Sequence, residues 1–240
     1  MNGSGGAEEM EEDKRKLGKV EEKEKEKEVV LMWGYLPGVS PDRSPLLHPV
    51  PVRRPESATG EAWRDVSGGG CGFAMAISAD SGAVLTFGWG LYGQCGNGST
   101  DDELSPKCVS SLLGVSLLGV AAGLWHTLCI SVDGGVYAFG GNQFGQLGTG
   151  LDQAETLPKL LDAPSLESMN AKIVSCGARH SAIVTEDSRV FCWGWNKYGQ
   201  LGLGDSIDRN IPSEVPIENL RIMNVSCGWW HTLALAKSPI

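Results

Sequence analysis

No apolar run in the 240-residue chain approaches the ~20 residues that a membrane-spanning helix needs. The start, Met1-Asn2-Gly3-Ser4, lacks a signal-peptide core, and Asn2 excludes myristoylation of a second-position glycine. Cysteine is present at 71, 95, 108, 129, 176, 192 and 227, but no two stand in a C-x-x-C pair. The odd count is read as reduced, mostly buried thiols of an intracellular protein. No G-x-x-x-x-G-K-[ST] loop is present to cradle a nucleotide phosphate. Basic charge is also short: 20 Lys and Arg stand against 29 Asp and Glu, a net charge of -9. That balance argues against broad binding to nucleic-acid phosphates and favours a basic protein partner. No Ser/His/Asp order or paired-carboxylate pattern stands out, so the expectation is a non-enzyme with no cofactor.

Glycine is abundant, at 33 residues, and stands among eight tryptophans. Glycine at this density among Trp, Leu and Val suggests tight turns between short strands. Residues 1–30 hold 10 acidic and 7 basic residues. This marks residues 1–29 as a charged tail, expected to be disordered. The body, 30–240, is repetitive.

Three segments align: Phe87-Gly88-Trp89-Gly90-Leu91-Tyr92-Gly93-Gln94-Cys95-Gly96, then Phe139 to Gly148, then Trp193 to Gly202. The first glycines are 52 and 54 residues apart, and Trp33-Gly34 is a degenerate earlier copy. A second landmark recurs as Gly123-Leu124-Trp125-His126-Thr127, Gly177-Ala178-Arg179-His180-Ser181 and Gly228-Trp229-Trp230-His231-Thr232. Gly69-Gly70-Cys71-Gly72-Phe73 takes the same place earlier, with Gly72 where the histidine would be.

Each unit reads as four short strands. In the second copy these are expected at Leu118–Ala122, Thr127–Val132, Val136–Phe139 and Leu157–Leu161, with Asp133-Gly134 as a hairpin turn. Four strands in about 50 residues, without an amphipathic helix, describe the blade of a β-propeller. Gly88 to Gly93 matches G-x-G-x-x-G, but no helix pattern follows it, so it is read as a turn.

The pattern G-x-x-H-[ST] … V-x-x-[FW]-G-x-x-x-x-G-Q-L-G … P resembles the regulator-of-chromosome-condensation repeat over roughly residues 30–235. Gly199 to Asp205 and Gly228 to Thr232 look most like the plant branch that includes an ultraviolet-B receptor. The resemblance implies an all-β fold, a seven-bladed propeller of which about four blades fit the body at about 52 residues each. The units are expected at 66–118, 119–171 and 172–222, with half-units at 30–65 and 223–240. The half-units are complementary, so the expectations are an open arc from a truncated product, or exchange of strands between the termini.

A residue repeated at one place in every blade usually serves the blade. His126, His180 and His231 are therefore read as buried structural histidines bonded to neighbouring backbone, not as metal ligands. The preceding positions vary. Trp125, Arg179, Trp229 and Trp230 are the candidate interaction surface, since Trp and Arg make good anchors. Trp89, Trp193 and Trp195 are assigned to packing between blades.

The expected function is a non-enzymatic protein-interaction propeller, nuclear or cytoplasmic, binding a basic surface such as histones or chromatin, with self-association through the open edge. The resemblance implies two alternatives. One is nucleotide exchange on a Ran-type small GTPase. The other is ultraviolet-B sensing, for which Trp229 and Arg179 match the receptor's tryptophan and arginine positions in different blades, an arrangement that breaks the tryptophan cluster.

Overall fold

A computed structural model describes residues 29–36, 45–55 and 62–238. The proposed tail at 1–29 lies almost wholly outside them. The described residues form sixteen strands, two short 3₁₀ turns and no α-helix. Three sheets are four-stranded and antiparallel: β3 (Trp63–Gly69) to β6 (Glu103–Cys108), β7 (Leu117–Ala122) to β10 (Glu155–Leu160), and β11 (Ala171–Cys176) to β14 (Arg209–Glu214). In each, chain order equals spatial order, the simple meander of a propeller blade.

The first strands of successive sheets touch, β3 with β7, β7 with β11, and β11 with β15 (Arg221–Cys227). These strands therefore line the axis, and β6, β10 and β14 lie at the rim. The second copy is typical. Its strands are β7, β8 (His126–Ser131), β9 (Val136–Gly140) and β10, each within two residues of the sequence expectation. Gly134 turns the β8–β9 hairpin with φ of 85°, a backbone geometry that the Asp-Gly pair supplies.

The cores lie between blades rather than inside them. Along β8, Cys129 packs toward the first sheet with Phe73 and Met75, while Leu128 and Ile130 pack toward the third with Ile183 and Phe191. Strand period two thus sends alternate residues into two separate cores. This is why all six residues of β8 and of β12 (His180–Thr185) are buried, with no polar face.

Two pairs of strands stand apart from this scheme. β15 pairs only with β16 (Thr232–Lys237), and β1 (Leu31–Gly34) only with β2 (Leu46–Pro51). The exchange of strands between the termini of one chain is therefore not what this structure shows: the half-blades are separate two-stranded sheets. The outer face of β16 is exposed at Leu233 and Leu235, whereas the matching strands of complete blades are buried.

Candidate functional site

The repeated histidines join one blade to the next. His126 Nε2 lies 3.0 Å from Ser181 Oγ, and His180 Nε2 lies 2.9 Å from Thr232 Oγ1. Each hydroxyl in turn donates to the carbonyl of the glutamine in the preceding G-Q-L-G loop: Ser181 to Gln146 at 2.6 Å and Thr232 to Gln200 at 2.8 Å. The hydroxyl proton is thereby used, so the ring must donate from Nε2. Nδ1 of His126 and of His180 finds no partner among the described residues, as fits an unprotonated nitrogen. Burial first, and then the next histidine, lower the His126 pKa to about 3 and that of His180 to about 4, so both rings are neutral. The expectation of a buried structural histidine stands for His126 and His180, with the partner a hydroxyl of the next blade rather than backbone, and fails for His231, which is exposed on the half-blade.

The glycine that opens this landmark makes room for the ring. A Cβ on Gly177 would stand 2.1 Å from His180 Cε1 and 2.6 Å from the Gly228 carbonyl oxygen. Among the described residues no group of three or more His, Cys, Asp or Glu side chains is placed to hold a metal ion.

The G-Q-L-G loop is closed by its own side chains. Asn142 accepts from Leu147 N at 2.9 Å and donates to the Leu151 carbonyl at 2.9 Å; Asn196 does the same for Leu201 and Ile207. In the first copy Gly90 takes the asparagine's place and keeps only the backbone donation, to Asp102, that Asn196 makes to Asp208. The segment Gly88 to Gly93 is a loop leading to β6, with no helix behind it.

The four expected interface residues fall in one patch, with Trp125 and Trp230 against Arg179 and Trp229 against Trp230. The Arg179 guanidinium carbon lies 4.8 Å from the Phe144 ring centre, 5.1 Å from Trp125, 5.6 Å from Trp195 and 5.9 Å from Trp230. Trp195 and Trp230 meet edge to face at 4.9 Å, and Trp229 joins Trp230 at 5.6 Å. Tyr92 extends the patch at 4.9 Å from Trp125, and Tyr198 at 5.4 Å from Trp195. Trp229 and Arg179, the two residues at the receptor's positions, do not meet, and tryptophans from other repeat positions converge on this arginine instead. Trp195 packs between blades, against Phe144 of the blade before and Trp230 of the half-blade after, and is also part of this patch. Trp193 packs between blades fully buried, with Nε1 donating to the Gln146 carbonyl at 2.9 Å, whereas Trp89, assigned the same role, is 41% exposed. The missed signal is Trp195-Asn196 standing one residue after the third-strand glycine, where the loop turns onto the same face as Arg179.

Cation–π attraction of a partly desolvated guanidinium amounts to about 0.5–2 kcal/mol per ring. Trp229 and Tyr198 are more than half exposed, at 56% and 65%, so the patch keeps aromatic surface open to a partner. Tryptophan, tyrosine and arginine are the residue types over-represented at binding hot spots.

Meandering four-stranded blades, stitched in series by a histidine and the next blade's hydroxyl, define a tandem-repeat β-propeller. The model of the "Regulator of chromosome condensation (RCC1) repeat" matches residues 81–130, 133–184 and 187–235. The chain belongs to this family. It is similar to the ultraviolet-B receptor UVR8 of Arabidopsis thaliana, 37% identical over 170 residues, or 70% of this chain and 38% of that protein. RCC1 domain-containing protein 1 of Mus musculus is 35% identical over 195 residues, covering 65% of this chain and 51% of the relative. A crystal structure of Prp20p from Saccharomyces cerevisiae, described with its binding properties to Gsp1p and histones, aligns with 81% of this chain and 47% of that one. Its TM-score is 0.69 at 22% identity, a likeness of fold. The chain thus spans about half or less of the length of these relatives. Among the described residues no helix is long and apolar enough to cross a membrane.

Proposed function

We propose that the chain is a non-enzymatic protein-interaction propeller that docks a regulatory or chromatin protein on the patch around Arg179. The observation that carries this reading is the convergence of Trp125, Phe144, Trp195 and Trp230 on one arginine. A net charge of -9 steers a basic partner toward the molecule, and the open ring faces of Trp229 and Tyr198 accept its lysines and arginines. A nuclear or cytoplasmic setting accords with such a partner. The test is a low-salt pull-down of histones with the chain and with Trp229→Ala/Trp230→Ala. Capture by the first and its loss in the second are expected; no capture by either would remove the chromatin reading.

A second reading, light sensing in the ultraviolet-B, is favoured by the same rings. Coupled indoles beside a guanidinium absorb in that range, and the 37% identity to UVR8 covers 70% of this chain. Irradiation that leaves assembly state and tryptophan fluorescence unchanged would exclude it.

A further inference from the structure

At each complete interface, the third strand of one blade plugs into the G-Q-L-G loop of the blade before it. Phe139 and Trp193 are those plugs, both fully buried. A Cβ on Gly96 would lie 2.7 Å from Phe139 Cε2, and one on Gly148 would lie 2.7 Å from Trp193 Nε1. The Gln146 carbonyl receives both Ser181 Oγ and the Trp193 indole.

At the third copy the plug is missing. A Cβ on Gly202 would touch only Val215, and nothing lies within 4 Å of one on Gly199 or Gly204. The Gln200 carbonyl holds the Thr232 hydroxyl, with no indole donating to it among the described residues. A cavity of about 270 Å³ occupies the place, lined by Leu201, Gly202, Val215, Trp230, Thr232 and Ala234. It is bounded by the exposed edge of β16.

The chain also carries a plug without a socket. Val30-Leu31-Met32-Trp33-Gly34 has the third-strand pattern of Val136 to Gly140 and Val190 to Gly194. In β2, Pro49 stands where Pro158 and Pro212 stand in β10 and β14. Yet Trp33 is 65% exposed, against 0% for Trp193, and Leu47 is 81% exposed. β1–β2 is thus the outer half of a blade, and β15–β16 the inner half.

We propose that the β1–β2 half-blade of one copy completes the β15–β16 half-blade of a second copy, and reciprocally, so that two copies close one ring. Three complete blades per copy and two composite ones make eight, within the roughly four-to-eight range of propellers. The contact is head to tail, and a two-fold axis closes it. Closure within one chain is not what the structure shows, since β1–β2 and β15–β16 form separate two-stranded sheets. The register follows from the pairs His180↔Gly194, Ser181↔Trp193 and Ala182↔Cys192. Transferred, it sets His231 opposite Gly34, Thr232 opposite Trp33 and Leu233 opposite Met32 of the second copy. The Trp33 indole then donates to the Gln200 carbonyl and its ring covers Gly202.

Light scattering on the 240-residue chain is expected to give twice the 25.5 kDa chain mass. Trp33→Asp is expected to give the single-chain mass with an unchanged melting curve of the three complete blades, since Trp33 stands outside them. Mild oxidation of Met32→Cys/Leu233→Cys is expected to yield a covalent dimer that the parent chain does not form. A single-chain mass for the unaltered protein, a link within one chain, or open-ended larger assemblies would each overturn the proposal.

Discussion

His126 and Ser181 stand in neighbouring blades, 55 residues apart, and share a buried 3.0 Å hydrogen bond. His180 and Thr232 repeat it at 2.9 Å one blade further on. Neither bond has a charge to gain, because both rings are held neutral. The stitch therefore depends on a protonation state that acid can remove.

That dependence sets a pH window. The folded pKa values, about 3 for His126 and about 4 for His180, lie below the unfolded value near 6.5. The unfolded chain then takes up protons first, so this share of stability is complete above about pH 6.5 and is lost as pH falls toward the folded values. Melting temperature is expected to drop between pH 7 and pH 5.5. His126→Asn/His180→Asn should lower the whole curve and flatten it across that interval. Equal slopes for the two proteins would contradict the assignment.

Crowding at the landmark glycine predicts a marked loss of stability. Gly177→Ala drives a methyl into both the His180 ring and the Gly228 backbone, and overpacking of this kind costs about 1–3 kcal/mol or more. Gly204→Ala meets no atom within 4 Å, though its φ of 82° adds backbone strain. Denaturant unfolding should rank Gly177→Ala well below Gly204→Ala in stability.

Arg179→Met retains bulk but removes the charge that four rings surround. Tryptophan emission is expected to change in wavelength or intensity, while the melting temperature shifts by the equivalent of about 1–2 kcal/mol. Lys197→Met, an exposed change on a neighbouring loop, should leave the emission alone. Identical spectra for Arg179→Met and the parent would show that the guanidinium does not govern the patch.

Thiol chemistry gives a further check. Burial pushes the thiols of Cys129 and Cys192 well above their ordinary pKa, and that of Cys95 up to about 12. Alkylation at pH 8 followed by peptide mass analysis should find these three protected in the native chain and modified after unfolding. Early labelling of Cys129 would show that the interface between the first two blades opens.

The blades were legible because strand and loop are written in residues with little freedom. Val-x-x-Phe/Trp-Gly marks the third strand, since its aromatic must fill the preceding loop, and Gly-Gln-Leu-Gly marks the loop. The histidine was legible as structural, but its partner was not. The hydroxyl that meets His126 is Ser181, which follows His180 in the sequence, and only the docking of blades brings Ser181 back to His126. The Ser or Thr after each histidine was the available signal. The aromatic patch was half legible. Position within the repeat selected Trp125, Arg179, Trp229 and Trp230, but the same logic set Trp195 aside, because convergence on Arg179 depends on the tilt between blades. Exposure of Trp33 was hidden altogether, since its strand has the pattern of a buried one.

Each stitch runs one way, from a ring in one blade to a hydroxyl in the next, and only the third complete blade is both holder and held, because Gly72 leaves the first blade without a ring. Stability then passes along the chain as nearest-neighbour couplings. Opening should begin at β16, whose His231 has no following blade in the structure, and travel inward. The middle blade, packed against a hydrophobic core on both flanks, is the last to exchange its amide hydrogens.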